Sequence, residues 1–425
     1  MSLSKVQKAE AKYLLHTYDR HPVLLTHGKG AYLYAEDGSK YLDFLSGIGV
    51  MALGYSHPKI TKVIREQAGK LVHVSNLFYT EQPSALAQKL VKLSGLNRAF
   101  FSNSGTEAWE GALKIARAVA SGKGLTKRTK FLAMENSFHG RTMGSVATTF
   151  TEKYRKPFAP LMPGVTFVKF NDIEDLKANF DDDVCAICIE TIQGEGGIQP
   201  VSRDFLKMAR ELTAKSGALL LIDEIQCGLG RTGKMFAYQH YGLKPDVVTL
   251  AKPLAAGLPL GAILVSEEVA TSIHPGMHGT TFGGGPLACA VALEVLKVIE
   301  EDKLLAHVTE VGGYFMDLLR QLDAHHGCIV DVRGAGLMLG VELDSADLAK
   351  AVQKAMLDEK IIINRTHETV LRFLPPFVIT KKHVETVVKA LDRVLSSCAS
   401  SDDAAPATAR SPRQRLPKAF ASGAR

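Results

Sequence analysis

Short apolar runs alternate with longer amphipathic segments through the middle of the chain, and this alternation limits the folds that it can adopt. The apolar runs predict β-strands at 99–102, 130–134, 184–189, 218–222 and 246–250. Segments with helical spacing predict helices at 58–72, 83–93, 106–120 and 203–215. Strands and helices that alternate on this scale form a mostly parallel sheet covered by helices. We therefore predict an α/β fold.

The two ends of the chain predict a smaller unit of strands and helices. Two short strands flank a turn at 36–39, and a helical region covers 286–320. Further strands and helices are predicted at 327–343, 346–357, 360–364, 370–374 and 381–395. We expect four parts, namely an N-terminal segment joining the small domain at 1–55, a large domain at 56–310, a C-terminal small domain at 311–398 and a disordered basic tail at 399–425.

Composition and charge exclude several classes of protein. Of the 425 residues, 46% are hydrophobic and 22% are charged, which is usual for a globular protein and not for a disordered or fibrous one. The net charge is +7, but the segment 399–425 holds five basic and two acidic residues, so the body is only weakly basic. We therefore expect no nucleic-acid partner and a small anionic ligand instead.

The cysteines and the N-terminus indicate an intracellular setting. Six cysteines in a chain of this length are not a disulfide framework. Cys185 and Cys188 lie in the apolar run of a predicted strand, so we interpret them as core residues rather than as a metal or redox pair. The N-terminus lacks the apolar stretch of a signal peptide, and the longest apolar window, at 253–265, is too short to cross a bilayer. These features predict a cytoplasmic protein without a metal or a membrane contact.

Two of the predicted strands end at or close to residues whose side chains could take part in catalysis. One strand ends at Asp223, and Lys252 follows the end of another. Ligands of open α/β sheets bind at the carboxyl ends of the strands. A lysine and a carboxylate at this edge suit pyridoxal 5′-phosphate (PLP), because the lysine can form a Schiff base and the carboxylate can face the pyridinium nitrogen. A helix-capping Asp and a surface Lys would give the same spacing.

Two further segments extend the pattern. Ser104, Gly105 and Thr106 open a predicted helix, whose free N–H groups can bind a phosphate, although a simple helix cap would use the same residues. In the loop at 137–141, Phe138 can stack on a flat ring and Arg141 can hold a carboxylate. A core aromatic residue and a surface ion pair are the alternatives there.

Taken together, these motifs resemble the class III PLP-dependent aminotransferases, which have the aspartate aminotransferase-like fold of a large and a small domain. The resemblance covers residues 14–395. Its motifs are NSGTEA at 103–108, SFHGRT at 137–142, QGEGG at 193–197, LIDEIQCGLGRTG at 221–233, PDVVTLAKPLAAGLPLGA at 245–262, HGTTFGG at 278–284 and LRFLPP at 371–376. Within the class, the set is most similar to the branch that acts on acetylornithine.

The resemblance implies the residues that hold the cofactor. Lys252 matches the Schiff-base lysine, Asp223 the partner of the pyridinium nitrogen, and Gln226 the residue near the ring hydroxyl. The phosphate loop matches Gly105 and Thr106, with Ser104 beside them, and the ring-stacking aromatic matches Phe138. Thr281 matches a threonine that reaches the phosphate of the neighbouring subunit, which implies a homodimer with shared active sites.

The resemblance also implies the residues that bind substrates. Arg141 matches a carboxylate clamp, and Arg372 matches the arginine that binds the α-carboxylate of glutamate. Glu195 matches the acid that pairs with this arginine while an ω-amino donor is bound, although a fixed structural salt bridge would also explain the pair. Tyr18 lies where the class has an aromatic residue that contacts the substrate.

The activity implied by the resemblance is transfer of the terminal amine of N2-acetyl-L-ornithine to 2-oxoglutarate, giving N-acetyl-L-glutamate 5-semialdehyde and L-glutamate in arginine biosynthesis. N-succinyl-diaminopimelate is a second candidate donor. Ornithine and 4-aminobutyrate are alternatives, although Ile48 stands where ornithine-specific members tend to carry Tyr. A non-transaminating PLP mutase, racemase or decarboxylase, and a PLP-free binding protein, are more remote. Trp109 departs from the class, where Asn is commoner.

Overall fold

The computed structural model describes residues 1–399, so the predicted tail at 399–425 lies outside the described residues except for its first residue. The helices in chain order are α1 (Leu3–Tyr13), α2 (Ser46–Gly49), α3 (Pro58–Ala68), α4 (Glu81–Ser94), α5 (Gly105–Gly122), α6 (Met143–Ala147), α7 (Glu152–Arg155), α8 (Ile173–Asn179), α9 (Arg203–Ser216), α10 (Glu267–Thr271), α11 (Pro286–Glu301), α12 (Leu304–His325), α13 (Ala346–Asp358) and α14 (Lys381–Ala399). Short 3-10 turns lie at Lys156–Phe158, Ala237–Tyr241 and Lys252–Ala255.

The strands fall into a large sheet, two smaller sheets and a two-stranded ribbon. In chain order they are β1 (Leu25–Lys29), β2 (Tyr32–Ala35), β3 (Lys40–Asp43), β4 (Arg98–Ser102), β5 (Lys130–Met134), β6 (Val165–Val168), β7 (Val184–Glu190), β8 (Ile192–Gln193), β9 (Gln199–Pro200), β10 (Leu219–Asp223), β11 (Val247–Leu250), β12 (Gly261–Val265), β13 (Ile329–Ala335), β14 (Met338–Leu343), β15 (Ile361–Ile362), β16 (Asn364–Thr366) and β17 (Val370–Phe373).

The large sheet has the order β4-β12-β11-β10-β7-β5-β6. Only β12 runs against its neighbours, pairing antiparallel with β11 and β4, while β5, β6, β7, β10 and β11 are joined by parallel pairs. Every residue of β7 is buried, including Cys185 and Cys188, as is typical of a strand covered on both faces. The mostly parallel α/β architecture confirms the predicted fold class.

Helices bury the two faces of this sheet. Alternate residues of β10 belong to different core clusters: Leu219 and Leu221 pack with the apolar face of α5, and Leu220 and Ile222 pack with the cluster that contains α9 and α11. The period of two along a strand sends neighbouring side chains to opposite faces. The sheet therefore has a packed core on each side, and its strand ends are left to form a site.

One of the two smaller sheets combines strands from both ends of the chain, and the other is built from C-terminal strands alone. One has the order β1-β2-β3-β15, in which Ile361 of β15 pairs with Leu42 of β3. The other has the order β13-β14-β17-β16. A C-terminal strand thus completes the N-terminal sheet. The proposed domain limits at 55, 310 and 398 stay a prediction.

Some elements differ from their predicted form. The helical region expected at 286–320 is two helices, α11 and α12, because Lys303 between them has a φ of +53°, which is left-handed and cannot continue a helix. Strands β6 and β12 were not predicted. The turn α2 has positive φ angles throughout, including +61° at the β-branched Ile48, and it packs against the 3-10 turn that begins at Lys252. Within residues 1–399, none of the helices has the length and apolar character needed to cross a membrane.

Three buried aromatic rings connect the smaller sheets to α12. Phe315 lies edge-on to Phe44, with centroids 5.6 Å apart, and edge-on to Phe373, with centroids 5.2 Å apart. We expect Phe315→Ala to lower the free energy of unfolding by about 3–5 kcal/mol, because the surrounding rings cannot collapse into the vacated space. Urea denaturation would measure this loss. The control variant Phe158→Ala, at an exposed site, should change it by less than about 0.5 kcal/mol.

Candidate active site

The carboxyl ends of three adjacent strands bring polar residues together. Asp223 ends β10 and lies between Glu190 of β7 and Thr249 of β11, in register with both. Lys252 follows Thr249 by three residues and has a positive φ of +20°, which is uncommon for a non-glycine residue. The two residues that the strand ends predicted, Asp223 and Lys252, therefore lie at the same edge of the sheet.

The surroundings of Lys252 favour its neutral form. Burial lowers the pKa of the ammonium group, and the positive charge of Arg372 lowers it further, whereas Glu195 and Asp223 act in the opposite direction. The net pKa is below the ordinary value for lysine. A larger share of this side chain is thus a free amine, able to attack a carbonyl or to accept a proton.

Asp223 is held by a histidine to which the sequence assigned no role. His139 Nδ1 lies 2.7 Å from Asp223 Oδ2, and the backbone N–H of Ile225 donates to Oδ1 at 3.0 Å. Among the described residues, His139 Nε2 is buried without a hydrogen-bond partner. The proton therefore belongs on Nδ1, where it can be donated to the carboxylate. The only signal in the sequence was the position of His139 inside the SFHGRT motif.

The ring of His139 lies against the single tryptophan of the chain. The centroids of His139 and Trp109 are 3.9 Å apart and the planes differ by 7°. Trp109 is fully buried, and its Nε1 donates to Thr148 Oγ1 at 2.9 Å. This stack fixes the imidazole plane behind Asp223.

The first turn of α5 lies beside the same strand ends. Ser104 is the N-cap, and its Oγ accepts from the N–H of Glu107 at 3.3 Å. The N–H groups of Gly105 and Thr106 have no acceptor within the helix because of their position in the first turn. A Cβ atom on Gly105 would lie 2.9 Å from the side chain of Ile225, so only glycine lets the helix start approach this closely.

The loop that carries Phe138 and Arg141 is hydrogen-bonded to the first turn of α5. Thr106 Oγ1 accepts from the N–H groups of Arg141 and Thr142, each at 3.3 Å. The exposed Arg141 guanidinium lies 3.5 Å from the ring centroid of Tyr154 and 5.7 Å from that of Phe138. The cation–π contact with Tyr154 orients Arg141. No sequence pattern indicated Tyr154, which lies in a short helix without a motif.

Glu195 and Arg372 form an ion pair, with Glu195 Oε1 and Arg372 Nη1 2.5 Å apart. The Arg372 side chain is 1% exposed and the Glu195 side chain 33%. Arg372 also donates to Asn364 Oδ1 at 2.8 Å and to Gln226 Oε1 at 3.2 Å. Burial acts to raise the pKa of the Glu195 carboxyl, but Arg372 and Lys252 outweigh it and the net pKa is lowered. Asn364 was not identified from the sequence.

Two of the expected site residues lie on the surface of the chain. Thr281 is exposed in a loop whose neighbour Thr280 accepts a hydrogen bond from Asn103 Nδ2 at 3.2 Å. Tyr18 is 70% exposed, and its ring contacts the guanidinium of Arg20. Within residues 1–399 of this single chain, neither Thr281 nor Tyr18 joins the contacts around Asp223, Lys252 and Arg372.

The residues at this edge have the chemistry that PLP requires. A lysine with a lowered pKa, a carboxylate and a partly buried aromatic ring match its aldehyde, its ring nitrogen and its flat face. The free N–H groups of α5 match its phosphate. The Thr249 hydroxyl, beside Asp223, is buried without a partner among residues 1–399, as expected next to a site for a polar group.

Comparison with known proteins agrees with this chemistry. Residues 13–395 match the family aminotransferase class-III. The acetylornithine aminotransferase of Methanocaldococcus jannaschii is 49% identical over 389 residues, covering 91% of this chain and 97% of that protein. The acetylornithine aminotransferase of Aquifex aeolicus is 48% identical over 384 residues, covering 90% of this chain and 100% of that protein.

The fold has close counterparts among solved structures. An ornithine aminotransferase of Toxoplasma gondii, crystallized with oxidized glutathione and showing partial occupancy of PLP at its active site, superposes with a TM-score of 0.90 at 32% identity. The match covers 94% of this chain and 96% of that one. Because the family match spans most of the sequence, as its motifs predicted, this chain belongs to the class III aminotransferases.

Proposed function

We propose that this protein transfers the terminal amine of N2-acetyl-L-ornithine to 2-oxoglutarate, giving N-acetyl-L-glutamate 5-semialdehyde and L-glutamate. The observation that carries the proposal is the ion pair between the fully buried Arg372 and the partly exposed Glu195. Relatives named acetylornithine aminotransferases, 49% and 48% identical over most of the chain, support this donor. The arginine-biosynthetic role follows from the reaction, and the cytoplasmic location stays a prediction from the sequence.

The cofactor is PLP, which supplies an electron-withdrawing ring that carries the amino group from donor to acceptor. We assign Lys252 as the residue that binds it covalently and Asp223 as the partner of its ring nitrogen. Gln226 and Phe138 would lie near its hydroxyl and against its ring. The phosphate would lie at Ser104, Gly105 and Thr106, where the first turn of α5 offers free N–H groups.

Lys252 is also the residue suited to moving the proton at the reacting carbon. Its lowered pKa keeps part of the side chain as a neutral amine that can accept a proton and then return it. Asp223 remains oriented during these transfers because His139 donates to one of its oxygens and Ile225 to the other. The reaction thus needs no further base at this edge of the sheet.

The Glu195–Arg372 pair explains how one site can accept two unlike substrates. A donor with an uncharged acetyl group and an ω-amine needs no second cation near Lys252, so Glu195 keeps Arg372 neutralised. A dicarboxylate needs two cations, and Arg372 becomes available when Glu195 turns outward into solvent. Arg141, held on Tyr154, would bind the other carboxylate. A buried arginine without any partner would be costly, so a removable acid is the simplest solution.

A donor panel tests the proposed reaction. Purified protein with PLP and 2-oxoglutarate should form glutamate fastest with acetylornithine, and more slowly with ornithine, 4-aminobutyrate and N-succinyl-diaminopimelate. The variant Lys252→Ala should form none, because it removes both the covalent attachment and the proton-accepting amine. Faster turnover of ornithine or 4-aminobutyrate would show that the proposed donor is wrong, while the transamination mechanism would still hold. Turnover without 2-oxoglutarate would indicate a mutase or racemase.

The role of Glu195 can be tested in the two half-reactions separately. Glu195→Gln should lower kcat/KM for acetylornithine by about 10-fold, because an unmasked Arg372 attracts the donor's carboxylate into an unproductive position. The rate with 2-oxoglutarate should change by less than about 2-fold. Stopped-flow absorbance of the bound cofactor measures both half-reactions.

A matched control uses a second glutamate–arginine pair in the same part of the fold. Glu342 Oε2 and Arg333 Nη1 are 2.5 Å apart, and the Arg333 side chain is buried, with 8% of its surface exposed. Glu342→Gln should affect both half-reactions equally, if at all. An equal loss in both half-reactions for Glu195→Gln would identify its ion pair as purely structural.

We further propose a homodimer in which each subunit contributes Thr281 to the other site. Two loops that lie together support this arrangement, since Asn76 Nδ2 donates to the carbonyls of Thr280 and Gly283. They present Leu77, Phe78 and Phe282 with exposures of 87%, 67% and 68%. Large exposed apolar groups that lie close together mark interaction surfaces. Thr281 lies within this surface.

Mixed dimers distinguish a shared site from a separate one. Thr281→Val should raise the Kd for PLP by about 10-fold through loss of one hydrogen bond to a charged group. In a heterodimer of Lys252→Ala and Thr281→Val subunits, the site with an intact lysine should bind PLP with the wild-type Kd, because its threonine comes from the other subunit. An affinity equal to that of the Thr281→Val homodimer would contradict sharing, and a monomer in sedimentation would contradict the dimer.

A further inference from the structure

Glu190 is a buried acid at the active-site edge that the proposed reaction does not use. It ends β7, is 5% exposed, and lies in register with Asp223 on the adjacent strand. Each of its carboxylate oxygens accepts a hydrogen bond from a backbone N–H group. The two partners belong to different loops, and each loop carries a residue of the proposed site.

One oxygen binds the loop on the cofactor side. The N–H of Phe138 donates to Glu190 Oε1 at 2.9 Å. This bond fixes the peptide from which the Phe138 ring projects, and the next residue, His139, contacts Asp223. The position of the stacking ring therefore depends directly on the Glu190 carboxylate.

The other oxygen binds the loop on the substrate side. The N–H of Gly194 donates to Glu190 Oε2 at 2.9 Å. Gly194 precedes Glu195, and its carbonyl accepts from Arg372 Nη1 at 3.4 Å. A side chain at Gly194 would collide with Gln226 at 2.4 Å, so this loop is packed closely against the strand-end residues. Its position sets where Glu195 can reach Arg372.

We propose that Glu190 is a positioning residue that couples the two loops, so that one carboxylate fixes both the ring-stacking Phe138 and the Glu195–Arg372 pair. The inference rests on the proposed function for its catalytic meaning, and on the two hydrogen bonds for its structural part. Through this link, a displacement of Glu195 during exchange of substrates is transmitted to the backbone that carries Phe138.

Burial opposes the ionised form of Glu190, and the hydrogen-bond donors around the carboxylate favour that form. Burial, which is the largest effect, and the nearby Asp223 raise the pKa of Glu190, while His139 and the two backbone N–H groups lower it, and the net pKa is about 7. Lys252 also lies within electrostatic reach of Glu190. An ionised carboxylate accepts on both oxygens, whereas a glutamine offers one accepting oxygen and one donating nitrogen. Glu190→Gln must therefore place a donor against one of the two backbone N–H groups.

A second buried acid offers a matched control. Glu224 is fully buried, burial raises its pKa to about 7, and it accepts from the N–H groups of Ala237 at 2.7 Å and Tyr238 at 2.8 Å. It thus has the same chemistry as Glu190 and holds a different segment. Glu224 also accepts from Thr191 Oγ1 at 3.4 Å, but none of its hydrogen bonds involves the N–H of Phe138 or Gly194. Glu224→Gln therefore reports the general effect of neutralising a buried acid at this edge.

The structural part is tested by amide hydrogen exchange in the PLP-bound protein. Glu190→Gln should speed exchange at both Phe138 and Gly194 by about 10-fold or more, because both loops lose a common anchor. Glu224→Gln should speed exchange at Ala237 and Tyr238 alone. Faster exchange at only one of the two loops, or at neither, would overturn the proposal. If Glu190→Gln does not fold, Glu190→Asp keeps the charge but shortens the reach, and the same exchange pattern is expected.

The functional part is tested by combining variants. Glu190→Gln should raise the Kd for PLP by about 5-fold and lower the substrate preference, defined as the ratio of kcat/KM in the acetylornithine half-reaction to kcat/KM in the 2-oxoglutarate half-reaction, by about 5-fold. In a Glu195→Gln background, the same substitution should leave the substrate preference unchanged, because Glu190 acts on it through Glu195. An undiminished effect in that background would refute the coupling. If the wild-type protein uses none of the donors, the proposed reaction fails, while the exchange experiment still decides the role of Glu190.

Discussion

Desolvation of charge at the carboxyl edge of the large sheet is the constraint on which the rest of the structure depends. Glu190 and Asp223 end adjacent strands, and Lys252 is close enough for both to affect its pKa. Charged groups removed from water are costly unless each one finds a partner. The loops above the sheet supply those partners, namely His139 for Asp223 and backbone N–H groups for Glu190. The positions of these loops follow from that requirement.

The cation that completes this arrangement comes from a different sheet. Arg372 lies on β17, which pairs with β14 and β16, and Asn364 of β16 holds its Nε. Gln226, three residues after Asp223, accepts from the same guanidinium. Arg372 thus joins a small sheet to the strand ends of the large one. Its contacts with Asn364 and Gln226 do not involve Glu195, so the unmasking that we propose would require only the movement of one partly exposed side chain.

The sequence was most informative where the chemistry is local. The strand–loop–helix segment around Ser104 could be predicted because strand end, turn residues and helix start follow each other within a few positions, and Asp223 stood out as the polar residue that ends an apolar run. The pairing of Glu195 with Arg372 spans 177 residues, and no spacing rule gives it, so only the resemblance to a family predicted it. Tyr154 and Asn364 lie outside all of the sequence motifs. Their roles arise from tertiary contacts that leave no trace in local patterning.

Strand direction and helix continuity were similarly beyond local patterns. The apolar run that became β12 gives no sign of running antiparallel, since hydrophobic alternation is the same in either direction. The break between α11 and α12 depends on the backbone conformation of Lys303, a residue type that is common within helices. Both departures leave Asp223 at the carboxyl edge of the sheet, where its predicted strand ends.

The stack of Trp109 on His139 has a practical consequence. Because the chain holds one tryptophan, the indole fluorescence of the whole protein originates from a single position, 3.9 Å behind the imidazole that contacts Asp223. The protein thus contains its own optical probe of the layer behind Asp223. Any event that rotates the imidazole or moves its carboxylate partner changes the surroundings of that one fluorophore, without a label and without turnover.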